Sequence, residues 1–120
     1  MAEHNELGKK GEEIALAYLR KKHYEILETN WRTGKYEVDI IAKHDNTLII
    51  IEVKTRSSSY LVEPEFSVNK IKQQSLIRAA DIYVERKDMD IEIQFDIISI
   101  IVNKNQHLIE HLEDAFYPTY

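Results

Sequence analysis

The stretch Tyr36-Glu37-Val38-Asp39-Ile40-Ile41-Ala42-Lys43 leads through the polar turn His44-Asp45-Asn46-Thr47 into Leu48-Ile49-Ile50-Ile51-Glu52-Val53-Lys54. Two runs rich in Ile and Val, separated by turn-forming residues, predict a β-hairpin over Tyr36–Lys43 and Thr47–Lys54. Their near-continuous apolar character requires cover on both faces of the sheet. Asp39, Glu52 and Lys54 sit inside these runs, where ionised groups are costly unless paired or bound to a metal. A loop of Asp45-Asn46, or of the four residues from His44 to Thr47, sets one register. It places Asp39 opposite Glu52 and Glu37 opposite Lys54. Opposed residues share a face with Cβ atoms about 5 Å apart, and period 2 puts Glu52 and Lys54 on one side of their strand. Two carboxylates and an ammonium therefore converge. Like charges held opposite one another are destabilising, and a divalent cation turns that repulsion into a binding site.

Working outward, Leu7, Gly11, Ile14, Ala15, Tyr18 and Leu19 recur at spacings of three and four, predicting a helix from about Glu6 to Lys22 with Asn5 as N-cap. Tyr24 to Trp31 reads as a strand, and the polar Thr55 to Ser59 as a loop. A second helix is expected over Asn69–Arg86, with Leu76, Ala79, Ala80 and Tyr83 as its buried stripe. Ile91 to Val102 is a long β-branched strand, and His107 to Phe116 fits a short strand or a helix. One mixed sheet flanked by helices is the architecture this order implies. No internal repeat or linker is visible over residues 1–120, so one domain is expected.

At about 100° per residue, Glu12 lies at the margin of the first helix's apolar stripe, whereas Glu13 points away. Glu12 can thus look along the sheet toward the carboxylates; the alternative is a solvated helical glutamate. Gly8 and Gly11 lie on the apolar side, where a missing side chain allows close approach to the sheet. Lys54 with Glu37 could instead be a simple cross-strand ion pair, and Glu37 itself reads as structural. His107 and His111 have the i, i+4 spacing of helical zinc pairs but lack a third ligand.

The 120 residues contain no Cys, which excludes disulfide scaffolds, thiol nucleophiles and cysteine zinc sites. No phosphate loop, Ser–His–Asp triad or dinucleotide fingerprint is present. The apolar run Leu48–Ile51 is too short to span a membrane, and the polar N-terminus predicts no signal peptide, so a cytoplasmic location is expected. The net charge of −5 argues at face value against a nucleic-acid partner. Its distribution reverses the point. Residues 1–80 hold 13 Lys and Arg against 12 Asp and Glu, while residues 81–120 hold 3 against 9. With Glu12, Asp39 and Glu52 neutralised by metal, the first two-thirds become basic.

Asp39 followed after a hairpin by Glu52-Val53-Lys54 resembles the motif of the PD-(D/E)XK, restriction-endonuclease-like nucleases. A wider set of residues resembles the YraN-like uncharacterised bacterial family: Gly11-Glu12 with Ala15, Ala17, Tyr18 and Leu19; Asn30-Trp31-Arg32; Glu37-Val38-Asp39-Ile40-Ile41-Ala42; Glu52-Val53-Lys54-Thr55-Arg56; Ser67-Val68 with Lys72-Gln73; Arg78-Ala79-Ala80; Phe95-Asp96; and Asp114-Ala115-Phe116. The likeness spans nearly the whole chain in order. That family is similar in fold and motif to Holliday junction resolvases. Two departures stand out. Tyr36 occupies a position where the family usually has Gly, with Gly34 two residues earlier, and Val38 rather than Pro precedes Asp39.

The resemblance implies a restriction-endonuclease-like α/β core, three layers α/β/α, and an endonuclease that hydrolyses phosphodiester bonds with Mg²⁺ or Mn²⁺. Glu12, Asp39, Glu52 and Lys54 would be its catalytic residues. Asp39, Glu52 and the Val53 carbonyl would hold the metal, and Lys54 would orient the attacking water. Arg56 and the Thr55–Ser59 segment would meet phosphate, with Lys70, Lys72, Gln73 and Arg78 adding contacts from the second helix. The expected partner is nucleic acid, DNA ahead of RNA, in branched or repair intermediates; a homodimer would suit a two-strand substrate. Two alternatives compete. A non-catalytic nucleic-acid-binding module would bind in a salt-dependent way without metal, and a protein-interaction domain would dock through its acidic last third.

Overall fold

The computed structural model describes residues 2–58 and 62–118. The elements are α1 (Ala2–Lys21), β1 (Glu25–Thr33), β2 (Tyr36–His44), β3 (Thr47–Ser57), α2 (Lys70–Arg86), β4 (Glu92–Asn103) and β5 (Gln106–Phe116). The five strands form one sheet in the order β1-β2-β3-β4-β5. Neighbours run antiparallel except β3 and β4, which are parallel because α2 intervenes as a crossover.

The hairpin register is the expected one. Ile40 pairs with Ile51, Ile41 with Ile50 and His44 with Thr47 around a two-residue loop, Asp45-Asn46. Both loop residues have positive φ, 48° and 62°, as a type I′ turn demands. Gly34, with φ +58°, opens the preceding turn between Thr33 and Tyr36, a backbone conformation that favours glycine.

Burial on both faces follows from the Ile runs. Ala15 and Leu19 of α1 pack with Ile40, Ala42, Ile49, Ile51, Ile98 and Ile100 on one side. Leu76, Ala79, Ala80 and Tyr83 of α2 pack with Val38, Ile41, Leu48, Ile50 and Phe95 on the other. This is the three-layer α/β/α arrangement, consistent with a restriction-endonuclease-like core. The expected stripe of α2 is its buried face, and Asn69 caps the helix by accepting from the Lys72 N–H at 2.8 Å.

Three local expectations need correction, and the strand-or-helix alternative for His107–Phe116 is decided. Asn5 is not the cap of α1; the helix already begins at Ala2. The Thr55–Ser59 loop is instead a continuation of β3 as far as Ser57, held by parallel pairing of Thr55, Arg56 and Ser57 with Ile100, Ile101 and Val102; Ser59 lies outside the described residues. The segment from Gln106 to Phe116 is a strand, so His107 and His111 are not on a helix. Gly8 is exposed with open space around it and makes no close approach.

Gly11 does make one. A Cβ built there would lie 2.8 Å from the Thr55 Cβ and would overlap that side chain's Oγ1. Replacing Gly11 by Ala is expected to cost about 1–3 kcal/mol as α1 is pushed off β3. Urea unfolding measures the loss, and Thr55→Ala in the same chain should restore part of it.

Candidate active site

Side-chain alternation in β2 skips at Asp39. Ile41 and Val38 both pack in the α2 layer, while Ile40 between them packs in the α1 layer. The alternation breaks at Asp39 without any shift there in the pairing of β2 with β1. Across β1 the neighbour of Asp39 is Asn30, which has φ +50° and falls between the paired residues Thr29↔Ile40 and Trp31↔Val38. Backbone pairing of β2 with β3 runs only as far as Ile40↔Ile51. Beyond it the link is a side chain: Asp39 Oδ2 accepts from the Val53 N–H at 2.8 Å. The sheet thus opens into a fork at Asp39, whose carboxylate fills the gap between the strands.

On the α2 side of the fork lies a cleft of about 490 Å³ lined by Glu52, Lys54, Ser67, Val68, Asn69 and Lys72. On the α1 side lies a second cleft of about 530 Å³, where Glu12, Asn30, Asp39, Val53 and Thr55 are among the lining residues. Glu12 is held by Asn30 Nδ2, which donates to its Oε1 at 2.8 Å. The expected Glu12, Asp39, Glu52 and Lys54 thus gather at one point of the sheet, approached from two faces.

The electrostatics follow from this placement. Burial pushes the Asp39 carboxyl up, against the opposing pull of the Val53 N–H and of a hydrogen bond with Glu52. Burial, then the Asp39 charge, raises Glu52 to about 7, and the Lys72 ammonium counteracts this more than Lys54 does. A hydrogen bond joins the two carboxyls, and burial raises both. Glu12 is raised too, chiefly by burial and then by the Asp39 charge. The two carboxyls are in contact, and among the described residues their one ion pair is Lys72 Nζ with Glu52 Oε2, 3.8 Å apart.

This has a consequence for stability. A carboxyl raised from 4.5 to about 7 by folding binds its proton more tightly in the folded state. The corresponding stability is fully present below pH 4.5 and is lost as pH rises through about 7. Metal-free protein is expected to lose about 3 kcal/mol between pH 5 and 8, measured by urea unfolding in chelator. Glu52→Gln should flatten that dependence.

The other expected residues are distributed as follows. Arg56 lies on the Glu52–Lys54 side of β3, and its Nη2 donates to the Glu63 carbonyl, while its buried Nε has no partner among the described residues. Lys70 is exposed at the start of α2. Gln73 donates from Nε2 to the Val68 carbonyl at 2.8 Å, so part of its amide is engaged within the protein. Arg78 is exposed on α2. Glu37 does not meet Lys54: with the hairpin pairing ended at Ile40, it pairs with Arg32 across β1 at 3.3 Å. Sequence reasoning missed Asn30 as the partner of Glu12; an Asn inside a strand, tolerant of positive φ, was the available signal.

Among the described residues no three Asp, Glu or His side chains form a preassembled metal cage. The Asp39–Glu52 pair nevertheless suits Mg²⁺ or Mn²⁺. Such hard ions take carboxylate oxygens, and Mg²⁺ keeps several waters, needing only one or two protein carboxylates. The pair's unbalanced charge is the observation that a divalent ion would answer.

No described helix is long and apolar enough to cross a membrane. Residues 11–100 match the Uncharacterised protein family UPF0102. The chain is 57% identical over 117 residues to a UPF0102 protein of Christiangramia forsetii, with 98% of each chain covered. It is 51% identical over 117 residues to UPF0102 protein FP2501 of Flavobacterium psychrophilum and 47% identical over 118 residues to a UPF0102 protein of Bacteroides thetaiotaomicron, again with 98% of each chain covered. The matched span takes in Glu12, Asn30, Asp39, Glu52, Lys54 and Lys72, the whole of the fork and of the α2-side cleft, and by this match the chain belongs to the UPF0102 family.

Proposed function

We propose that the protein is a metal-dependent endonuclease that hydrolyses phosphodiester bonds of DNA, with branched or repair intermediates as its substrates. The observation that carries this reading is the buried Asp39–Glu52 pair at a fork in the sheet, Glu52 lining a cleft with Lys54 and Lys72 and Asp39 lining the opposite cleft with Glu12. A bound Mg²⁺ or Mn²⁺ would supply Lewis acidity toward phosphoryl oxygen and a more acidic water.

Asp39 and Glu52 would hold that ion, with the Val53 carbonyl beside them. The Val53 N–H fixes one Asp39 oxygen, leaving the other for the ion. Lys54, two residues after Glu52 on the same face of β3, would orient the water and offset charge on the phosphate. Glu12, kept in place by Asn30, would hold a water or a second ion from the α1 side. Lys70 and Lys72, at an α2 N-terminus whose first turn has no acid, would meet the phosphate backbone. Charge supports the same assignment: the acidic excess sits in residues 81–120, away from these groups in sequence.

The test is incubation of pure protein with branched, flapped and linear DNA in Mn²⁺ or Mg²⁺, beside Asp39→Asn. Metal-dependent cleavage that disappears in the variant is the expected result. Salt-dependent binding with no metal requirement and no cleavage would assign a binding module instead.

A further inference from the structure

Lys72 is the third residue of α2, and its position is set by the helix cap. Its own N–H is held by the Asn69 side chain at 2.8 Å, and the next residue, Gln73, ties the helix to the preceding loop through the Val68 carbonyl. From this anchored start the side chain reaches across the cleft to Glu52, Nζ to Oε2 3.8 Å. The two ends of the pair differ in surroundings: the Glu52 side chain is 14% exposed, that of Lys72 43%. Glu52 is rooted in the sheet, whereas Lys72 is a flexible stem with an open path to solvent. Its ammonium therefore stands on the α2-side approach to the Asp39–Glu52 pair.

We propose that Lys72 is the built-in counter-ion of the Asp39–Glu52 pair, occupying the cation position in the metal-free protein and displaced outward by the metal, toward where a substrate phosphate would lie. This rests on the metal-site reading above. It gives the two lysines of the cleft different tasks. Lys54 stays in the sheet beside the reaction, and Lys72 exchanges one anionic partner for another. An ammonium and a divalent ion cannot both neutralise the same two carboxylates at close range, so they compete. Removing Lys72 should then tighten metal binding, the opposite of what loss of a structural contact would do.

The experiment is Mn²⁺ titration by calorimetry of the full chain, wild type beside Lys72→Met and Lys72→Arg, with circular dichroism confirming the fold. Lys72→Met is expected to bind Mn²⁺ about two- to fivefold more tightly, and Lys72→Arg at close to the wild-type affinity. In a second measurement, the Lys72 side-chain ε-CH₂ resonance should move on Mg²⁺ addition far more than that of Lys70. Equal or weaker Mn²⁺ binding by Lys72→Met, with wild-type binding intact, overturns the role of Lys72 alone. Flat titrations for both wild type and variant overturn the metal-site reading and the proposal with it.

Discussion

Asp39→Asn is expected to abolish metal-dependent cleavage while leaving the fold at least as stable as wild type. The carboxylate has three tasks in the geometry described: it accepts the Val53 N–H at 2.8 Å, faces Glu52 and approaches Glu12. An asparagine retains an oxygen for the Val53 N–H but brings no charge to the ion or to the transition state. Loss of a charge aimed at the reacting phosphate costs about 10³-fold or more in rate, or about 4 kcal/mol. The folded state gains instead, because one of two mutually repelling buried charges is gone. Cleavage of end-labelled DNA in Mn²⁺ and urea unfolding in chelator measure the two quantities on one preparation. Lost activity with an unchanged or raised urea midpoint is the signature of a residue kept for function at some expense of stability. Cleavage at the wild-type rate, or a lowered midpoint, would sink this account of Asp39.

The largest stability effect lies elsewhere, at Asp96 and His111. The Asp96 side chain is wholly buried and that of His111 is 5% exposed. His111 Nε2–H donates to Asp96 Oδ2 at 2.7 Å, and the ring's other nitrogen faces the Tyr18 hydroxyl at 2.9 Å. The second oxygen of Asp96 accepts from Gln94 Nε2 at 3.0 Å and from the Asp114 N–H at 3.1 Å. That last bond has a local cause. The register of β4 with β5 shifts between Phe95 and Ile97, and Asp114 has φ +56°, so the bulge frees an amide that the buried carboxylate then takes. The chain Asp96–His111–Tyr18 ties β4, β5 and α1 together.

His111→Ala would leave a buried carboxylate short of its closest donor and is expected to cost about 3–5 kcal/mol. Thermal or urea unfolding reads the loss. Gln at position 111, which can still donate, should recover part of it, and Asp96→Asn should cost less than His111→Ala because no uncompensated charge remains. An unchanged midpoint for His111→Ala would show the network to be worth no more than its solvated parts. The i, i+4 histidine spacing thus has a structural explanation for His111, while His107 is exposed on the strand.

Both sites show how far local sequence reaches. The Ile runs of β2 and β3, the Asp45-Asn46 turn and the apolar stripe of α2 are patterns of period 2 or 3.6, each set by neighbours a few residues apart. They determined the hairpin, its register, the double-sided burial and hence the layered architecture. The gathering of Asp39, Glu52 and Lys54 was legible for the same reason: a two-residue loop transmits register along both strands. For Glu12 the helical period gave a place at the margin of the apolar stripe but did not decide against a solvated glutamate.

Tertiary structure decided the rest. Where hairpin pairing stops cannot be read from strand periodicity, because it depends on a side chain, Asp39, taking a backbone donor in place of the ladder. That interruption separates Glu37 from Lys54 and sends Glu37 to Arg32. The extension of β3 through Thr55–Ser57 was hidden by its polar residues, since pairing with β4 depends on partners 45 residues later. The proximity of Lys72 to Glu52 depends on how α2 docks on the sheet. Asp96 and His111 meet only because β4 and β5 pair with a bulge. Sequence by itself determined which apolar runs and stripes would be buried and which charges would share the central hairpin. Only the packed sheet decided which of those charges touch, because contact between distant segments is set by register and docking rather than by the pattern within either one.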